Sequence, residues 1–371
     1  MAPPLTSRLR LLVAPLARVL VSPYYRYRNA QRLHAIRVGL AMLVSILVTT
    51  GIDVPHGLWA SVTVLVVIGG LQHHGNIRKK ATDRAIGTLL GALLGLLLIV
   101  QMRWLGSAAL TYVLMSIIAG ICGYYAIGAS GYVALLTAIT MIIVGGHGDS
   151  SIDGGLWRAL NVAIGIVIAL AFSFALPLYA TYSWRYLLAR SLRDYAHTYV
   201  RLARGAPIDP EAQLAAFAKM GERLVKLRAL MASVSKEVDL SVKQLEAIAR
   251  LNRSLLSALE MMASAALARA EAAGGVRPVR EADAGEREVR ATLLRLARAL
   301  RFGSGQPLAA PVDAVPHATP DMGGSEWVSQ HFGELVARLY ALVAEIEPQW
   351  NIERRESPAV RRLESSARAR R

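Results

Sequence analysis

From about residue 35 to residue 177 long apolar runs alternate with short breaks, and each run fits a bilayer-crossing helix, which takes roughly 20 residues. "AIRVGLAMLVSILVTTG" occupies 35–51, and "IDVPHG" turns the chain, with Pro55 ending any helix. "LWASVTVLVVIGGL", 58–71, is slightly short. "RAIGTLLGALLGLLLIV", 84–100, leads into "QMRWLG", where Trp104 fits an interfacial anchor. A fourth run covers about 107–123 and a fifth about 127–144, with only the charge-free "YYAIGASG" where they meet. The loop "GGHGDSSIDGG" is rich in glycine and aspartate, and a sixth run covers 156–177. The pattern predicts an all-α chain whose residues 33–180 form a six-helix transmembrane bundle.

Beyond residue 181 the pattern changes. Apolar residues recur every three or four positions, the signature of helices with one buried face. "WRYLLARSLRDYAHTYVRLARG" ends at Gly205, and Pro207 and Pro210 follow. Two long helices are predicted over 211–238 and 241–273, another over 286–302, and a last one from Ser325, after a Pro/Gly-rich linker at about 303–324. Residues 181–350 thus read as a cytoplasmic helical bundle. Residues 351–371 read as a disordered Arg-rich tail, and residues 1–32 as a basic amphipathic arm on the membrane surface.

Composition agrees: 54% of the 371 residues are hydrophobic and only 18% charged, against about 25% charged in soluble domains. The net charge of +16 is unevenly spread. Residues 1–33 hold six arginines and no acid. Arg78, Lys79, Lys80 and Arg84 lie between the second and third runs, and Arg185, Arg190 and Arg193 follow the sixth. The opposite loops hold Asp53, Arg103, Asp149 and Asp153. The asymmetry predicts both termini in the cytoplasm, and it fits membrane flanks better than a nucleic-acid patch. Cys122 is the single cysteine, so neither an intramolecular disulfide nor a cysteine metal cluster can form.

Gly87, Gly91 and Gly95 stand four residues apart in the third run. In water each would cost a helix roughly 1 kcal/mol against alanine. In lipid they form a smooth stripe on which another backbone can pack closely, within one subunit or between two. A short internal echo accompanies the stripe. "VVIGG" then "DRAIGTLLGALLG" parallels "IIVGG" then "WRALNVAIGIVIA", matching Arg84 to Arg158 and Gly91 to Gly165. With three runs in each half, the halves would be inverted, as in many secondary transporters.

These stretches resemble a family. "HAIRVGLAMLV", the short proline turn, "LWASVTVLVVI" and "GNIRKKATDRAIGTLLGALLG" are similar to the fusaric acid resistance family, which includes aromatic acid exporters. The matching positions are Arg37, Trp59, Arg84, Gly87, Thr88 and Gly91, within a likeness over about 33–178. The resemblance implies an inner-membrane exporter of small organic acids, often working with a periplasmic adaptor protein. The longest members carry two six-helix units; this chain has one, which implies at least a homodimer.

An exporter of carboxylates needs cations and donors along its route. Arg37, Arg84 and Arg158 are the candidate cations, each with a plainer role as an interfacial anchor. Trp59 is a candidate for stacking on an aromatic substrate or for the interfacial belt. Asn161 suits a bond to a neighbouring helix. Thr63, Thr137 and Thr140 suit back-bonding to the helix more than a ligand. Gly87, Gly91, Gly95 and Gly165 are the candidate packing positions. The adjacent His73 and His74 fit a solvated loop better than a metal site, no phosphate-gripping loop is present, and no catalytic triad stands out. No metal, cofactor or enzyme activity is predicted. Two functions stay open: secondary-active export of small, aromatic carboxylic acids, and a membrane scaffold or envelope sensor signalling through its cytoplasmic helices.

Overall fold

A chain whose backbone cannot bond to water must bond to itself, and apolar runs this long can do so only as helices. The computed structural model describes residues 23–68, 74–128, 130–146, 151–175, 178–272, 279–303, 308 and 324–351. Most of the basic arm, all but the first residue of the predicted tail, and His73, His147 and Asp149 lie outside the described residues. The described elements are α1 (Pro23–Arg28), α2 (Ala30–Gly51), α3 (Leu58–Ile68), α4 (His74–Leu105), α5 (Ala108–Ala126), α6 (Gly131–Gly145) and α7 (Ile152–Ala175). After them come α8 (Ala180–Ala203), α9 (Pro210–Val238), α10 (Val242–Ala272), α11 (Ala284–Phe302), α12 (Gly324–Glu345) and α13 (Glu347–Trp350). Arg28–Leu178 make one compact unit, and the residues from Tyr179 onward make another, to which Tyr27 also belongs.

The six apolar runs of the first unit are all helical, but they are not six equal rods. Four helices, α2, α4, α5 and α7, are long and apolar enough to cross a membrane. α3 has 11 residues and α6 has 15. At 1.5 Å per residue α6 reaches about 23 Å, short of a hydrocarbon core of about 30 Å, and α3 covers about 17 Å within the described residues. α4 is the opposite case. It starts ten residues before the apolar run, because "HGNIRKKATD" also contains good helix formers that a hydropathy reading leaves out.

The glycine stripe is a seam inside the subunit. A Cβ built on Gly87 would lie 2.9 Å from the Val133 carbonyl oxygen, one on Gly91 2.5 Å from that of Thr137, and one on Gly95 3.0 Å from that of Met141. The three contacts advance together, so α4 and α6 run parallel in near backbone contact. α3 and α7 also run parallel: Asn161 bonds to Pro55, and Gly165 abuts Ala60. α2 runs antiparallel to α3, tied by Ser45 Oγ and Ser61 Oγ at 3.1 Å.

The second unit is built as soluble bundles are. Asp209 caps α9, with Pro210 in its first turn. A capping box of Asp283 and Glu286 opens α11, and Gly303, at φ 63°, ends it. Leu192, Leu255, Leu259, Leu293, Leu296 and Leu339 are fully buried. Tyr199 stacks on Phe332 at 4.6 Å. The Glu237 carboxylate, on α9, accepts from the backbone N–H groups of Ala180 and Thr181 and from the Thr181 hydroxyl. Those are free donors at the start of α8, where a negative charge is favoured.

Candidate functional site

Arg84 is the centre of the site. It stands on α4 and is only 1% exposed. Its Nη2 donates to Thr63 Oγ1 of α3 at 3.4 Å. Its Nε and Nη1 have no hydrogen-bond partner among the described residues. Tyr132, at the start of α6, lies within electrostatic reach of the guanidinium. Thr88 follows Arg84 by one helical turn on the same face of α4, and its buried hydroxyl has no partner either. A buried donor without an acceptor is costly, and a buried cation without an anion more so. A carboxylate suits such a set, since its two oxygens accept charge-assisted hydrogen bonds from a guanidinium.

Arg37 is also fully buried, seven residues beyond the first residue of α2. Its Nη2 bonds to His34 Nδ1 at 2.9 Å. α2 is antiparallel to α3, so Arg37 lies abreast of the C-terminal end of α3, and both buried arginines occupy the same end of the bundle. Arg158, on α7, is half-buried and donates from Nη1 to the Ile143 carbonyl at 3.0 Å. α7 begins where α6 ends, so Arg158 belongs to the opposite end of the bundle.

The other predicted residues divide. Trp59 is half-buried in the first turn of α3, one turn before Thr63. Asn161 spends both donors of its amide on backbone, at 2.8 Å to Pro55 and 2.8 Å to Trp157. It clasps α7 to the α2–α3 turn and is a structural tie first. Thr137 back-bonds to Val133 as predicted. Thr63 and Thr140 depart from the back-bonding expected of them: Thr63 accepts from Arg84, and the Thr140 hydroxyl, 0% exposed, has no partner. The reason is spatial. Both threonines sit where a glycine of another helix crosses, so their side chains face a helix junction rather than lipid. The Ser45–Ser61 pair and the His34 partner of Arg37 escaped the sequence reading, because neither residue type marks a site by itself. Among the described residues no group of three histidine, cysteine or acidic side chains is placed to hold a metal.

The sequence profile of the fusaric acid resistance protein family matches residues 31–370. The chain is 30% identical over 296 residues to "Inner membrane protein YeeA" of Escherichia coli (strain K12), an alignment covering 80% of this chain and 84% of that protein. It is 31% identical over 162 residues to "p-hydroxybenzoic acid efflux pump subunit AaeB" of Edwardsiella ictaluri (strain 93-146), covering 38% of this chain and 24% of that one.

Proposed function

The chain belongs to the fusaric acid resistance protein family, and from that premise we propose that its membrane unit exports small aromatic carboxylates across the bacterial inner membrane. The observation that carries this reading is the buried Arg84 guanidinium, with Nη2 on Thr63 and with Nε and Nη1 unpartnered among the described residues. The arginine-rich end is the cytoplasmic one by charge asymmetry, so Arg84 and Arg37 meet the anion where it enters. Both termini and the second helical unit then lie in the cytoplasm. The likeness to a p-hydroxybenzoic acid efflux subunit supports the substrate class.

The driving force follows from charge. Among the described residues no carboxylate is buried in the membrane unit, so the obvious proton carrier is lacking there. An anion leaving a negative-inside cell gains about 2.3 kcal/mol per 100 mV. The membrane potential therefore drives export without a proton relay. A second copy of the chain completes the transporter, and a periplasmic adaptor carries the product onward.

The test uses everted membrane vesicles, an imposed potential and labelled p-hydroxybenzoate within a panel of aromatic acids. Wild-type vesicles accumulate the label. Arg84→Ala, at wild-type abundance, loses at least tenfold of the rate, and Arg84→Lys keeps part of it. Absence of potential-dependent flux across the panel would sink the exporter and favour the scaffold.

A further inference from the structure

The two halves of the membrane unit repeat one construction. A Cβ on Gly91 of α4 would meet the Thr137 carbonyl oxygen at 2.5 Å and Thr140 Cβ at 2.6 Å. A Cβ on Gly165 of α7 would meet the Ala60 carbonyl oxygen at 2.4 Å and Thr63 Cβ at 2.7 Å. In each case a glycine lies on a carbonyl and on the threonine three residues later. The third helix of one half thus packs on the second helix of the other, both ways round. Each glycine follows an arginine by seven positions, Arg84 in one half and Arg158 in the other. Each arginine reaches back to the second helix of its own half, Arg84 to Thr63 and Arg158 to Ile143, which is one turn past Thr140.

The repeat is broken at one point. Thr63 accepts from its arginine, whereas Thr140 is wholly buried and has no hydrogen-bond partner among the described residues. Gly155 of α7 abuts Ile99 of α4, on a helix running the opposite way. Arg158 therefore lies abreast of residue 96, about 18 Å along α4 from Arg84 at 1.5 Å per residue.

We propose that Arg158 and Thr140 form the second half of a duplicated carboxylate site, the station that the anion reaches after leaving Arg84 and Thr63. The proposal rests on the export reading. Arg158 exchanges the neutral Ile143 carbonyl for a carboxylate, a stronger, charge-assisted acceptor. The Thr140 hydroxyl, which donates to nothing among the described residues, gains an acceptor. Two stations related by the internal repeat let the anion be held near either end of the bundle in turn.

Affinity measured separately on each face tests this. Everted vesicles present labelled p-hydroxybenzoate to the cytoplasmic face and right-side-out vesicles to the other. Thr63→Val raises KM at least fivefold in everted vesicles and leaves it within twofold in right-side-out ones. Thr140→Val and Arg158→Lys do the reverse. Either variant shifting the everted KM alone, or shifting neither at normal abundance, overturns the second station.

A readout without flux keeps the two proposals apart. With Cys122→Ser as background, Thr63→Cys and Thr140→Cys are labelled with an impermeant maleimide from each side, with and without p-hydroxybenzoate. The acid slows labelling of Thr63→Cys from the cytoplasmic side and of Thr140→Cys from the other, at least threefold each. Protection at Thr63→Cys alone overturns the second station and leaves the exporter standing. Protection at neither overturns both.

Discussion

The two units bury opposite kinds of residue. The second unit hides leucines such as Leu192, Leu259 and Leu296 and exposes Arg190 and Arg193. The membrane unit exposes Leu47, Leu89, Leu93 and Val113 and hides Arg37, Arg84, Thr140 and Asn161. The contrast shows what holds each together. In water, burying apolar surface contributes about 25 cal/mol per Å², so the second unit coheres by covering its leucines. In lipid that term vanishes between helices, and cohesion comes from close backbone approach and polar ties. Gly87, Gly91, Gly95 and Gly165 provide the first, and Ser45–Ser61 and Asn161–Pro55 the second.

Arginine makes the same point. Arg185 of the second unit is 0% exposed, donates from Nε to the Leu300 carbonyl at 3.0 Å, and lies against the rings of Tyr182 and Trp350. It is a structural cation. Arg84 is as deeply buried, but its Nε, the atom that Arg185 seats on a carbonyl, and its Nη1 have no hydrogen-bond partner among the described residues, an arrangement that suits a ligand better than a fold.

The largest effect belongs to the seam. Gly91→Leu should abolish accumulation in the membrane fraction, because even a Cβ there lies 2.5 Å from the Thr137 carbonyl oxygen. Immunoblots of membranes and size-exclusion profiles in detergent would check it, and normal amounts of a monodisperse variant would refute the seam. Next comes a paired leucine test. Leu296→Ala, in the core of the second unit, should cost about 2–5 kcal/mol, while Leu93→Ala, 56% exposed on the membrane unit, should leave the chain's melting unchanged. Equal losses would erase the contrast between the units.

Arg185→Ala should cost the second unit about 2–4 kcal/mol, the loss of a charged hydrogen bond and of ring contacts. Faster limited proteolysis of the full chain beyond residue 179 would report it. Ser45→Ala should cost about 0.6 kcal/mol, as single polar ties between membrane helices do. Urea titration in mild detergent has the resolution to see it. The smallest effect at neutral pH is that of Tyr199. Burial pushes its hydroxyl up to about 12, from an ordinary value near 10. The folded form resists losing this proton, so stability is intact below pH 10 and falls between 10 and 12. Tyr199→Phe should flatten that part of the alkaline melting profile.

Much of this was legible in the sequence. The glycine spacing announced a close helix packing, because it is a pattern of residue type at helical intervals, whereas Arg84 stood in the sequence as one of three candidate cations, each with a plainer role as an interfacial anchor. What could not be read was the partner of each feature. The stripe does not say that α6 covers it. Thr137 and Thr140 are alike in sequence, yet one bonds its own helix and the other faces a crossing. The short reach of α6 was hidden too, since the apolar run at about 127–144 is longer than the helix.

The tightness of the two glycine crossings also bears on what mutation can do to this gene. Every missense change of a glycine codon introduces at least a Cβ. At Gly91 and Gly165 there is room for none, so the whole set of substitutions reachable by a single nucleotide change is closed. At Gly39, Gly120, Gly123 and Gly221 no described atom lies within 4 Å of an added Cβ, so small uncharged side chains meet no clash there. A saturation library sorted only for surviving protein would leave blanks at the crossings and fill the open sites, whatever the cargo.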